Sequence, residues 1–200
     1  MTRLHLVIEP GRVEDFLQIF RTGVGVAVRV GCSVKDLLCG QFRLDESYVD
    51  RRITTIFLDG KPVDAIGTAR IREGSTLALS AAMPGLAGAI LRRGSALAPL
   101  RENITRECGE KGVAPERDGV ITVKLFNLLA PELAPGILRG GILLPAAVAE
   151  GFLRRMPPGF WDGCREILLD GKRVEAALLT DGSWAPPGDS VELSVALREA

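Results

Sequence analysis

Histidine is nearly missing from this chain: His5 is the only one in 200 residues. Any Ser-His-Asp or Cys-His mechanism would have to run through it. It stands in Leu4-His5-Leu6-Val7-Ile8, a stretch that reads as a strand closed by Pro10-Gly11, with no other feature of a site nearby. We read His5 as a strand-surface residue. Cysteine is sparse too. Cys32, Cys39, Cys108 and Cys164 form no Cys-x-x-Cys and no Cys/His pair at metal-ligand spacing, so neither a metal nor a cofactor is expected. Buried free thiols of a reducing compartment account for them. Cys32 and Cys39 flank the start of an expected helix and are the candidates for a redox-sensitive pair. Cys32, beside Gly31 at that helix N-terminus, is where a lowered thiol pKa would be expected.

Aromatics make up 5% of the chain against 46% hydrophobic residues, which calls for aliphatic cores. Net charge is missing as well: 25 basic residues balance 25 acidic ones. The basic face of a nucleic-acid binder is not visible, and the doublets Arg51-Arg52 and Arg92-Arg93 read as solvated surface. No apolar run reaches the ~20 residues of a spanning helix. The nearest, Leu86 to Leu100, is interrupted by Gly88, Arg92-Arg93, Gly94 and Pro99. Met1 to Ile8 is too short for the apolar region of a signal peptide. A soluble, cytoplasmic protein without membrane or nucleic-acid partners is expected. Phosphate cradles are lacking: Gly23-Val24-Gly25 precedes a strand, and Arg139-Gly140-Gly141 has no following Lys-Ser/Thr. The acid pairs Glu14-Asp15 and Asp45-Glu46 suit first turns of helices on dipole grounds. No catalytic residue emerges, and the chain is read as non-enzymatic.

What is present is a repeat. Thr55-Ile56-Phe57-Leu58-Asp59-Gly60-Lys61-Pro62-Val63-Asp64, then Ser75 to Ser80, is matched by Glu166-Ile167-Leu168-Leu169-Asp170-Gly171-Lys172-Arg173-Val174-Glu175, then Ser190 to Val195. Each copy is a strand, an Asp-Gly turn, a return strand, a loop and an alternating strand. Before the first copy, Val13 to Phe20 has helical spacing. Val24, Val26, Val28 and Val30 alternate as a strand, and Ser33-Val34-Lys35-Asp36 resembles a capping box opening a helix through Leu37, Leu38 and Phe42. Leu44 to Val49 reads as a short turn. Before the second copy, Val120 to Phe126 is a strand and Leu128 to Pro135 a loop. Ile137 to Leu144 is a return strand bent at Gly140-Gly141, and Pro145 opens a helix ending before Pro157-Pro158. Arg101 to Asp118 reads as linker. Trp161 and Trp184 are assigned to packing.

Two strands, a helix and two strands with an Asp-Gly turn resemble the β-grasp of ubiquitin-like proteins. Val123-Lys124-Leu125-Phe126, Leu169-Asp170-Gly171-Lys172-Arg173-Val174 and Pro187-Gly188-Asp189-Ser190-Val191-Glu192-Leu193 are similar to the small sulfur-carrier subunit of molybdopterin synthase and the thiamine-biosynthesis sulfur carrier. The resemblance implies an α+β chain of two tandem β-grasp (ββαββ) domains, residues 1–85 and 119–200, joined by a connector, 86–118. In that family sulfur is carried on a C-terminal Gly-Gly. Here the second unit ends Val195 to Ala200 without glycine, and Met83-Pro84-Gly85-Leu86-Ala87-Gly88 stands where the first unit's tail would begin, inside the chain. Met83, Pro84, Gly85, Leu86 and Gly88 are therefore the candidate tail-like or docking segment, continuing as an apolar stretch to Leu100, although the glycines themselves read first as a loop's source of positive φ or close backbone approach. Edge strands offer a second route to a partner.

The reading is a tandem β-grasp binding or scaffold protein with an unidentified protein partner, in sulfur or cofactor metabolism. One alternative is a sulfur-carrier precursor released by cleavage near Gly88. Another is a small-molecule binder or enzyme with a pocket between the domains.

Overall fold

The computed structural model describes residues 1–81, 83–104, 115–157, 159–181, 184–186 and 188–198. Cys108, most of the expected linker, and Pro158, Pro187, Glu199 and Ala200 from the motifs above lie outside the described residues, as do the side chains of residues 102–104. The fold is mixed α+β. In chain order, β1 is Thr2–Ile8, followed by a 3₁₀ stretch Pro10–Phe16, α1 (Leu17–Thr22) and β2 (Val24–Val30). A π-helical turn, Asp36–Gln41, leads to α2 (Glu46–Arg52), β3 (Thr55–Leu58), β4 (Lys61–Pro62) and β5 (Thr76–Ser80). Then come α3 (Gly85–Leu91), a kinked 3₁₀ stretch Ala98–Ile104, β6 (Arg117–Phe126), α4 (Leu129–Gly140) and β7 (Ile142–Pro145). The rest is α5 (Ala146–Arg154), β8 (Cys164–Leu169), β9 (Lys172–Arg173), α6 (Ala176–Thr180) and β10 (Ser190–Leu197). No described helix is long and apolar enough to cross a membrane.

Two compact units are found. Met1–Gly25 joins Leu133–Ala200 in one, and Val26–Glu132 forms the other. In the second, the strands run β4-β3-β5-β6-β2. β3 is antiparallel to β5, with Phe57 opposite Ala78, and β5 is parallel to β6, with Ala78 opposite Lys124. Period two decides the faces. Ile56, Leu58, Leu77, Leu79, Ile121, Val123 and Leu125 are buried, while Ala78, Thr122 and Lys124 alternate with them and are half-buried. The four valines at even positions of β2 are buried too. Leu37, Leu38 and Val49 from the helices complete the core.

The first unit runs β7-β10-β1-β8-β9. β1 is parallel to β10 along all seven of its residues, Thr2 opposite Val191 through Ile8 opposite Leu197, and antiparallel to β8; β10 is antiparallel to β7. Leu4, Leu6, Ile8, Val191, Leu193 and Val195 form the buried face, and Ala149 and Leu153 of α5 are buried as well. Phe16 and Phe160, both fully buried, pack edge to face at a centroid distance of 5.6 Å, and Phe16 lies equally close to Phe152.

The repeated hairpin shows where expectation and structure part. Asp59 and Gly60 have φ of 52° and 79°, Asp170 and Gly171 49° and 78°. Both turns thus have the left-handed pair that a two-residue type I′ hairpin requires, which Asp-Gly supplies. In the first copy Asp59 is latched to β5: its N–H donates to the Thr76 carbonyl at 2.9 Å, and its carboxylate accepts from the Thr76 N–H at 2.8 Å. In the second copy Asp170 makes the same pair of bonds with Arg3, each at 2.8 Å. Thus β1, not β10, stands beside the second hairpin, and β10 takes the place that β6 takes in the other unit. Each parallel pair unites strands from opposite halves of the chain, whereas the tandem reading closed each sheet within its own half. Alternation specifies which face a strand buries but not which strand lies beside it.

Other differences are local. The expected loop Leu128 to Pro135 is the first part of α4, and Ile137 and Leu138 are helical rather than strand. Pro131 falls in the first turn, where a missing N–H goes unused, and Pro135 lies inside the helix. Leu129, Leu133, Ala134 and Leu138 supply a buried stripe at helical spacing that outweighs the proline penalty. Leu44 to Val49 runs into α2, capped by the Asp45 carboxylate, which accepts from the Ser47 and Tyr48 N–H groups at 2.8 and 3.3 Å. The capping box is present: the Asp36 N–H donates to Ser33 Oγ at 3.0 Å, and the Ser33 N–H to Asp36 Oδ2 at 3.2 Å.

Candidate functional site

Met83 to Arg101 is the segment with most to explain. Gly85, with φ at 72°, turns the chain into α3. Gly88 is buried, and a Cβ placed there would lie 1.7 Å from the Met83 carbonyl oxygen, so only glycine fits. The stretch that the resemblance set against a flexible tail is a packed helical turn. Past α3, the Arg93 N–H donates to the Thr54 carbonyl at 2.8 Å, and Arg93 Nη2 lies 3.2 Å from Asp50 Oδ1. Thr54 Oγ1 donates to the Ala81 carbonyl, so one threonine holds the chain on both sides of α3.

The far end is fixed by Arg101, expected in a linker but 2% exposed. Its Nη1 and Nη2 donate to the two carboxylate oxygens of Asp64 at 2.8 and 2.7 Å, and its Nε to the Ile90 carbonyl at 2.7 Å. Two-point guanidinium–carboxylate pairing fixes direction as well as charge. Meanwhile Met83, Leu86 and Leu100 turn outward, with Leu86 and Leu100 69% and 70% exposed. The segment thus has a fastened side and an apolar outer side.

Beside α2 is a second polar cluster, which the sequence reading missed. Tyr48 donates its hydroxyl to Glu132 Oε2, and Arg52 Nε lies 3.0 and 3.1 Å from the two oxygens of the same carboxylate. The Arg52 guanidinium holds the Glu132 carboxyl below the usual range. Burial, then the bond to Glu132, pushes the Tyr48 phenol far above its ordinary value. Tyr48 and Arg52 are four apart on one helix, the only hint the sequence offered. A phenol so held does not ionise near neutral pH, and the cluster reads as an anchor for the start of α4.

Cys32, Cys39 and Cys164 are free thiols, and the environment of Cys32 runs against the expected reactivity. Cys32 directly precedes Ser33, which caps the helical turns through Gln41. Its Sγ donates to the Arg29 carbonyl at 3.2 Å and accepts from Gln41 Nε2 at 3.3 Å. Burial first, then the carboxylates of Glu116 and Asp36, pushes its thiol pKa up rather than down. Cys39 is raised by burial and Glu46, and Cys164 by burial. In a Cys108→Ser variant, alkylation of the native protein should therefore show no cysteine reacting faster than an unstructured thiol at pH 7. A thiol reacting tenfold faster would contradict this.

His5 shares a 2.8 Å hydrogen bond with Ser194 Oγ on the neighbouring parallel strand. Trp161 meets Phe160 edge-on at 5.0 Å, and Trp184 is buried, as packing residues. The outermost strands, β4 and β9, are two residues each, Lys61-Pro62 and Lys172-Arg173. Short edges bearing lysine and proline discourage strand addition, which turns attention from the edges to the outer side of Met83–Leu100. No group of three or more potential metal ligands occurs among the described residues.

No protein-family model, curated protein or solved structure matches the chain.

Proposed function

We propose that this chain is a non-enzymatic binding or scaffold protein of β-grasp character, in sulfur or cofactor metabolism, that docks a protein partner through the outer side of Met83–Leu100. The fold contributes a parallel central pair in each unit, β5 with β6 and β1 with β10, flanked by the Asp-Gly hairpin, as a β-grasp sheet has. The observation that carries the docking claim is the two-sidedness of the segment. Gly88 and Arg101 are packed in, while Met83, Leu86 and Leu100 are left apolar and outward. The precursor alternative requires Gly85 to Gly88 to be presented to a protease, and the close packing at Gly88 speaks against it.

The test is the double variant Leu86→Asp, Leu100→Asp. Both side chains are mostly solvated, so stability should change by less than about 1 kcal/mol. Recovery of the partners that co-purify with the wild-type chain from its native cells should fall at least tenfold. Unchanged recovery would remove the docking site.

A further inference from the structure

We infer that Met83–Arg101 is a strap that opens and closes as one unit, with the Arg101–Asp64 ion pair as its clasp. This goes beyond the docking claim and does not depend on it. Three observations carry it. Among the described residues, the strap is held at its middle by Arg93, whose N–H donates to the Thr54 carbonyl and whose guanidinium faces Asp50, and at its far end by Arg101 on Asp64, while Thr54 also holds Ala81 just before it. Between them, the strap's regular bonds are internal, such as the Arg92 N–H to the Gly88 carbonyl at 3.0 Å and the Ala98 N–H to Ser95 at 3.0 Å. The clasp also ties the strap to itself, since the same guanidinium holds the Ile90 carbonyl from α3 while reaching Asp64. Withdrawal of Arg101 therefore frees the helix and the 3₁₀ stretch together rather than residue by residue.

Segments with few fixed points open locally at lower free energy than the surrounding sheet. Here the buried charge of Arg101 is held by an acid partner that, at 37% side-chain exposure, can be reached from solvent, and the Arg93–Asp50 pair is a second, more exposed hold. The device has a consequence for any factor that must read Gly85 to Gly88 in extended form, whether protease or partner: it binds only the open state. Its apparent affinity or rate is then scaled by the fraction of open molecules.

Amide hydrogen exchange of the full chain tests the inference, with Asp64→Asn as the variant. Asparagine keeps one oxygen able to accept from Arg101, so the chain should still fold. In the wild type, the amides of Arg92 and Arg93 should exchange together and at least tenfold faster than those of β5 and β6. In Asp64→Asn, strap amides should speed up at least tenfold while β1 and β10 stay unchanged. Glu9→Gln, which weakens the Arg165–Glu9 pair far from the strap in sequence, should leave strap exchange as it was. Strap amides as slow as β5 and β6 in the wild type would overturn the inference. So would an Asp64→Asn effect that is absent or spread equally over the whole chain.

Discussion

Replacing Phe16 by alanine should cost about 3–5 kcal/mol, the range for truncating a buried phenylalanine in a core that relaxes only partly. Its ring is fully buried and touches Phe152 and Phe160, each at 5.6 Å between centroids, so the cavity would open in the middle of the only aromatic cluster among the described residues. Aromatics are 5% of this chain, and three of its seven phenylalanines converge here. Urea unfolding followed by fluorescence should show a midpoint shift at unchanged slope. A loss under about 1 kcal/mol would mean that Phe16 is not packed as described.

The second large effect is Arg101→Met, for which about 2–3 kcal/mol is expected. Breaking a buried ion pair by removing one partner usually costs more, but Asp64 is partly solvated and recovers water. What remains unmatched is the Ile90 carbonyl and the hole left by the guanidinium. Methionine keeps most of the apolar stem, so the effect isolates the polar head. Urea unfolding of this variant checks the size, and Asp64→Asn should lose clearly less because it leaves a hydrogen bond in place. Equal stability of Arg101→Met and the wild type would show that Arg101 is a linker residue after all.

Much of this architecture was legible from side-chain period. The valines of β2, the alternation of β6 and the Ser33–Asp36 box all declare their elements, because burial on one face and capping are local properties. The two Asp-Gly turns did the same through their need for positive φ. Strand neighbours were not legible. Ser75 to Ser80 and Ser190 to Val195 look alike, yet β5 lies beside its own hairpin while β10 lies one strand away from its own, behind β1. That choice is made by long-range pairing, which a one-dimensional pattern does not encode. α4 was hidden for a related reason: two prolines argued against a helix whose buried stripe decided for it.

The candidate site was half legible. Met83 to Leu100 stands out as more apolar than a connection needs, and its glycines read as sources of positive φ or close backbone approach, as Gly85 at 72° and Gly88 against the Met83 carbonyl are; the helix they build was not legible. Arg101 was read as linker because nothing in sequence ties it to Asp64, 37 residues earlier. Tyr48, Arg52 and Glu132 were missed because the carboxylate arrives from a helix that had been taken for a loop. Cys32 was judged by its place in the sequence, and burial with the nearby carboxylates of Glu116 and Asp36 reversed the expected direction of its pKa.

The central claim is that the glycines at 85 and 88 are built into a folded strap and serve the chain in one piece. Intact-mass measurement of the protein from its native cells addresses it most directly. The account predicts that Met83–Gly88 and β6 remain in one covalent chain in every species recovered; a species whose chain ends at Gly85 or Gly88, with or without added sulfur, would contradict it.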